Sequence, residues 1–393
     1  MQRRLFIRLV GGGSVAAAAS VSTATLSGCS TAMPPEAIEA WRGPDASVRA
    51  DADVRRWLLS YAILAPHSHN LQSWLADLRV PNEITLRCDL KRLLPQTDPL
   101  SRQIMMSHGT FLELLDIAAR ERGLKANIDL FPEGVFGPDK PDTRPVARVR
   151  LMLDSKVQKD PLFAQILSRH TNRSAYDINR AVPDSAWSAI TSGVDATFIR
   201  MGYAGLSQPE VLVAQRNIAR EAWRIELTTP RTIMESFDVL RVGVSEIAAH
   251  RDGLVVTAAM PVMLARLGLF DRSKPPAPDD YATTSQIETF DKALASTPGF
   301  MWMVTKANDR ITQVNAGRAW ARVQLAATAH GLAMQPLSQA LQEYPEQTKP
   351  YRDIHALAGA NSPGQTVQMW ARVGYAPPVG PAPRRRLADI VSA

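Results

Sequence analysis

Cysteine is nearly missing from this sequence: 393 residues hold only Cys29 and Cys88, which excludes a disulfide scaffold. Aromatic residues make up 6% and do not interleave with the basic runs, so the stacking platforms of a nucleic-acid binder are lacking. With 45% hydrophobic and 21% charged residues, wholesale disorder and collagen-like repeats are excluded as well. At about 100–200 residues per domain, the length admits two to four domains. The net charge of +7 is the one compositional hint of a polyanionic partner.

Acid is absent from the first 29 residues, MQRRLFIRLVGGGSVAAAASVSTATLSGC. Arg3, Arg4 and Arg8 form a basic start, and residues 9–28 a mildly apolar stretch. This pattern marks a targeting segment to be set apart from the fold. Its glycines, serines and threonines make it weaker than the run of about 20 apolar residues that spans a bilayer. Arg3-Arg4-Leu5-Phe6 resembles a twin-arginine export signal, which carries folded cargo. Leu26-Ser27-Gly28-Cys29 resembles a lipobox, with Cys29 as the lipidated residue; a chance run of small residues is the plainer alternative. Removal of the three arginines lowers the charge from +7 to +4 and leaves Cys88 as the only thiol. Located in the strand-like run Glu83–Cys88, that thiol reads as core rather than nucleophile. Ser30 follows Cys29 where an aspartate would mark inner-membrane retention. The expected location is therefore the cell envelope or periplasm, with membrane contact through a lipid anchor only.

Residues 30–50 are rich in Pro, Ala and polar side chains and read as a tether. The folded body is expected from residue 51, with a first half over 51–155 and a second over 156–393. Helices are expected up to Pro66, over Pro99–Arg122, Asp160–His170 and Ser185–Thr191, through most of 208–270, and over Asn308–His330. Strands are expected at Glu83–Cys88, Val146–Leu153, Ala196–Met201, Phe300–Thr305 and Thr366–Val373. The elements mix without a strict βαβ rhythm, so an α+β fold is expected. Residues 208–285 form an insertion of lid-like length. With an offset of 208, Gly109–Leu124 lies over Gly317–Leu332, with five identities in sixteen positions and glycines 14 apart in both. A duplication of this kind lets one chain imitate a symmetric dimer, with a ligand site between the halves.

Three segments carry chemistry. Pro66-His67-Ser68-His69-Asn70-Leu71-Gln72-Ser73-Trp74 is a polar loop bounded by proline and tryptophan, suited to the polar edge of a planar heterocycle. It also reads as an ordinary connection. His67 and His69, two apart, lack a third ligand at metal-binding spacing, so no metal is expected. Arg169-His170-Thr171-Asn172-Arg173 places two arginines around a hydroxyl, which suits a phosphate or a solvated basic turn. Arg384-Arg385-Arg386 near the end reads as a solvated run, or as a second contribution to the same phosphate.

In this order the segments resemble the FMN-dependent nitroreductase family, and within it the Acg-like branch. Pro66, His69, Asn70, Gln72 and Trp74 match the family loop Ala-Pro-Ser-x-His-Asn-x-Gln-Pro-Trp, while His67 and Ser73 replace its serine and second proline. Asp89, Arg92, Asp98, Pro99, Arg102 and Gly109 match a following segment. The His250–Leu254 stretch, Gly331-Leu332 and Pro383–Leu387 are also similar. The resemblance implies two fused nitroreductase-like halves holding FMN between them. Arg169, Thr171 and Arg173 would hold the phosphate, with Arg385 or Arg386 assisting. The loop residues Pro66, His67, Ser68, His69, Asn70, Gln72 and Trp74 would line the isoalloxazine, and the amides of Gln335-Pro336-Leu337 would approach it. It implies hydride transfer to an electron-poor aromatic or quinone, with protons from water, His67 or His69 and no side chain assigned a catalytic role. The alternative is an FMN store whose lid stays closed. Nucleic acid is not an expected partner.

Overall fold

The structure is a computed structural model that describes residues 32–392. The twin arginines and Cys29 lie outside the described residues. Strands β1 (Trp74–Asp77), β2 (Glu83–Cys88), β3 (Leu124–Leu130) and β4 (Pro145–Leu153) form one antiparallel sheet in the order β1-β2-β4-β3. A long helix, Arg102–Glu121, connects β2 to β3. After it, β5 (Ile199–Ala204), a small parallel pair β6 (Leu240–Val242) and β7 (Leu254–Val256), and then β8 (Gly299–Thr305), β9 (Ala333–Pro336) and β10 (Thr366–Gly374) follow. Of these, β5, β8, β10 and β9 make a second antiparallel sheet, and the helix Arg310–Ala329 connects β8 to β9. The two halves therefore share one topology: two strands, a long helix, then two strands whose order in the sheet is reversed. The last strand, β11 (Val391–Ser392), crosses to the first half and runs parallel to β1.

Both long helices are read correctly from apolar periodicity and from the glycines that follow them. Gly123 and Gly331 both adopt φ of +66°, a left-handed conformation that lets the chain leave a helix without a Cβ clash. The helices pack directly on each other. A Cβ on Gly109 would stand 1.9 Å from the Val314 carbonyl oxygen, and one on Gly317 would stand 1.9 Å from that of Met106. These two contacts exchange under the 208-residue offset, so the repeat in the sequence is a pseudo-twofold crossing in space. Beyond the glycines, Glu113 accepts from Arg318 and Arg322 at 2.8 Å each, and Arg322 also reaches Asp160. On the opposite side Trp74, Phe111, Leu114 and Leu115 are buried in the core of the first half.

The insertion between β5 and β8 is mostly helical, with helices Pro209–Thr228, Pro230–Asp238, Gly243–His250, Ala259–Arg266 and Tyr281–Ala295. Among the described residues, no helix is long and apolar enough to cross a membrane.

Several expectations are corrected. The segment expected as a tether is folded in part: Pro35–Ile38 is helical, Glu39–Arg42 forms a 3-10 turn, and Trp41 is buried. Its indole N–H donates to the Ala382 carbonyl at 2.8 Å. The helix expected over 160–170 shrinks to the 3-10 turn Pro161–Gln165, after which the chain extends and delivers Arg169 to the first half. Strands β1, β3, β9 and β11 were not expected. Cys88 is buried, and burial pushes its thiol well above the usual range, in keeping with a core residue.

The helix crossing generates a test. A methyl group at either glycine must displace backbone, so Gly109→Ala and Gly317→Ala should each lower stability by about 2–3 kcal/mol or more. Gly137→Ala, where a Cβ would meet nothing within 4 Å, should be close to neutral. Urea unfolding of the three variants checks this.

Candidate functional site

The loop from Pro66 to Trp74 is the connection between the helix Val54–Ala62 and β1. Its backbone is strained: His69, Asn70 and Gln72 have φ of 49°, 53° and 54°, a region that costs a non-glycine residue about 1 kcal/mol or more. Such a loop persists only if its surroundings over-determine it. Gln72 is fully buried, donating to the Arg251 carbonyl at 3.0 Å while its Oε1 accepts the Arg385 backbone N–H at 2.8 Å. Asn70 accepts from Arg384 at 2.9 Å, and its backbone carbonyl accepts from the Gly253 N–H at 3.1 Å. The far end of the chain and the tip of the insertion therefore both fasten on this loop.

His67 and Ser73, the two departures from the family loop, prove to be partners. The His67 Nε2 lies 2.6 Å from the Ser73 Oγ and accepts the Ser73 backbone N–H at 3.1 Å, and its Nδ1 lies 2.8 Å from the Ser68 carbonyl. The only tautomer that satisfies all three contacts carries the proton on Nδ1. Proline at 73 would have no N–H to give. Burial holds the His67 pKa well below its usual value, so this ring is a neutral latch and is poorly placed as the proton donor expected from sequence.

A second cluster surrounds Arg169. This residue is buried, donating to Gln324 Oε1 at 3.1 Å and to the Leu64 carbonyl at 3.0 Å. Arg384, also buried, donates to the same Leu64 carbonyl at 3.1 Å and to that of Ala65 at 3.2 Å. Two guanidiniums thus converge with no carboxylate paired to either among the described residues. The Nε of each, and Nε2 of neighbouring His170, are buried without a partner. Burial pushes the Arg169 pKa down to about 10, and burial together with the charge of Arg169 lowers that of Arg384 strongly. Arg173 is exposed and has no ion pair among the described residues, and Thr171 is half-buried. Between them, the Asn172 N–H donates to the Met334 carbonyl at 3.0 Å, which seats the segment beside β9. His69 faces Arg173; burial and then that charge push its pKa down to about 4. Like charges gathered without a counter-ion in a place poor in water have the chemistry to receive an anion.

The structure sorts the residues expected from sequence. Pro66, His67, Ser68, His69, Asn70 and Thr171 are half-buried and Arg173 is exposed, and His69 and Arg173 bring the two segments near each other. Trp74 is fully buried on β1, with its ring packed between His67 and Phe111, so it supports the loop from below. Gln335 is buried with its Oε1 2.6 Å from Arg372 Nε, and the Leu337 N–H already donates to the Trp370 carbonyl. Pro336 has no N–H, so neither it nor Leu337 can offer the backbone donor expected there. Arg385 is spent on the Gln72 and Asp389 carbonyls, and exposed Arg386 on the Asp389 carboxylate. The arginine that joins Arg169 is Arg384. Three consecutive arginines carry no mark of which one turns inward, and Trp41, which covers the pair, lies in a segment whose composition suggests a tether.

Two expectations follow. His67→Ser or Ser73→Pro alone should destabilise the fold by about 1–3 kcal/mol, because each leaves a buried polar partner unmatched. The double variant, which installs the family's own pair, should recover most of that loss in thermal unfolding. The imidazoles of His69 and His170, both pushed down to about 4 by burial, should titrate near pH 4 by NMR. A depressed histidine pKa favours the folded state above pH 6.5, and that contribution is lost as pH falls towards 4.

No protein-family model matches the chain. It is 28% identical over 352 residues to two Mycobacterium tuberculosis proteins, from strains H37Rv and CDC 1551 / Oshkosh, that carry the name of candidate NAD(P)H nitroreductases. The match covers 87% of this chain and 92% of each relative. Among solved structures, the FMN-dependent nitroreductase NfnB of Mycobacterium smegmatis, in complex with NADPH, aligns with 57% of this chain and 94% of its own at 18% identity and a TM-score of 0.36. The similarity to the two mycobacterial proteins runs through nearly their whole length.

Proposed function

We propose that the chain is an exported FMN-binding oxidoreductase of the Acg-like branch, with Arg169 and Arg384 as the core of the phosphate site. The observation that carries this reading is the buried pair of guanidiniums with free Nε donors and no carboxylate. A dianionic phosphate supplies both the missing charge and the missing acceptors. Thr171 and Arg173 extend the site towards solvent, and His69 and Asn70 border it from the first half. FMN, when bound, supplies hydride transfer to an electron-poor aromatic or a quinone. The protein's own part is to bind and orient the cofactor and to exclude water. Because His67 and His69 are held neutral, water is the better proton source. Delivery of a folded, cofactor-loaded protein by the twin-arginine route, with lipid attachment at Cys29, suits such a protein. It would work as a monomer whose halves imitate a dimer.

One observation favours the storage alternative, in which no turnover occurs. The tip of the insertion is tied shut over the loop: Asp252 is buried between Arg92 and Arg241, and Gly253 and Arg251 hold Asn70 and Gln72. Arg251 also pairs with Glu39 at 2.7 Å.

Purified protein should be yellow, or should take up FMN. Arg169→Ala and Arg384→Ala should each weaken FMN by about 30-fold or more, as expected for a lost charge-assisted hydrogen bond of about 2–3 kcal/mol. Arg386→Ala should bind normally. Retention of FMN by the double variant would reject the phosphate assignment. Reduction by NADPH and reoxidation by a nitroaromatic or quinone separate turnover from storage. If the lid alone prevents turnover, Asp252→Ala should restore it.

A further inference from the structure

Trp41 belongs to the segment whose composition suggests a tether, yet it lies against the arginine pair. The Arg384 guanidinium carbon is 4.8 Å from the indole centroid, that of Arg169 is 5.6 Å, and the His170 ring meets the indole edge-on at 4.8 Å. The segment is held down at several points. The indole N–H donates to Ala382, the Arg384 backbone N–H donates to the Ala37 carbonyl at 2.8 Å, and Glu39 pairs with Arg251 on the insertion.

We infer that Trp41 is a positioning residue for the phosphate, holding Arg169 and Arg384 side by side so that one anion bridges them. The inference rests on the FMN reading above. An aromatic face attracts a cation through its quadrupole and takes no N–H from it. Guanidinium donors lie in the plane of the group, so a ring against the face leaves the edge for an anion. A carboxylate in the same place would neutralise the pair and compete with phosphate. An aliphatic side chain would exclude water and leave the repulsion between the two cations unrelieved. The indole excludes water and offsets the repulsion while leaving the unpartnered Nε donor of each arginine available. Its indole N–H also ties it to residue 382, two positions before Arg384, so ring and arginine are placed together.

The test uses the purified full chain and flavin-fluorescence titrations with FMN and with riboflavin, which has the same ring and no phosphate. Trp41→Leu keeps an apolar plug and removes the aromatic face, whereas Trp41→Phe keeps a face. Trp41→Leu should weaken FMN about tenfold with riboflavin nearly unchanged, and Trp41→Phe should recover most of the FMN affinity, as expected for a cation–π contribution. Equal behaviour of the Leu and Phe variants, equal weakening of both flavins, or no weakening at all would overturn the assignment. If the unaltered protein binds neither flavin, the FMN reading falls by itself and inorganic pyrophosphate decides on Trp41. A rise in melting temperature with pyrophosphate that the unaltered and Phe proteins show and the Leu protein lacks supports it. The same response in all three, or none in any, overturns it.

Discussion

The backbone-to-backbone approach of two helices at Gly109 and Gly317 is the constraint on which the rest of the molecule depends. Each glycine admits the carbonyl of the opposite helix where any side chain would collide, so the helices lie closer than ordinary ridge-and-groove packing allows. Each helix carries its own sheet, and the distance between helices therefore fixes the distance between sheets. The loop after Leu64 comes from one half and Arg169 reaches it from the other. Their meeting at the Leu64 carbonyl depends on the crossing. The Glu113, Arg318, Arg322 and Asp160 network holds the polar edge of the same contact, but ion pairs at a partly exposed edge contribute little beside close packing.

Around that frame the site collects terms that oppose folding: three residues in left-handed backbone and two buried cations side by side. Each costs free energy in isolation. They persist because one set of tail contacts answers several at once. Arg384 and Arg385 bind Asn70 and Gln72, and the insertion tip binds the same two residues from above. Two buried guanidiniums without a carboxylate beside a strained loop suit a ligand more than any single side chain here does.

Much of the fold was legible in the sequence because its signals are local. The periodicity of the two long helices, their closing Gly-Leu pairs and the fixed offset between them all survive in space. Missed strands had weak or misleading signals: β11 is two residues long, β1 begins at a tryptophan that closes a polar loop, and β3 alternates Leu, Ala, Ile and Leu with Lys, Asn and Asp immediately after a helix-ending glycine. The site was legible at the level of segments and illegible at the level of atoms. Its arginine-rich tail was recognisable, but which arginine faces inward depends on how an extended chain is twisted by its anchors. Gln335, Leu337 and Trp74 look like ligand-facing groups until their hydrogen bonds and burial are known. Trp41 was hidden by composition, since proline and alanine around it suggest a tether and nothing local announces its partners.

The tail contacts also set an order of events. Trp41 meets Ala382 across 341 positions, and Arg384 meets Leu64 across 320, so these contacts close very long loops among the described residues. Contacts of such separation are the last to form, because the chain must surrender its freedom before they reward it. A bound anion would therefore act as a clasp on the whole chain, joining its two ends and both halves, and its occupancy would report the completion of the fold and not only the state of one pocket.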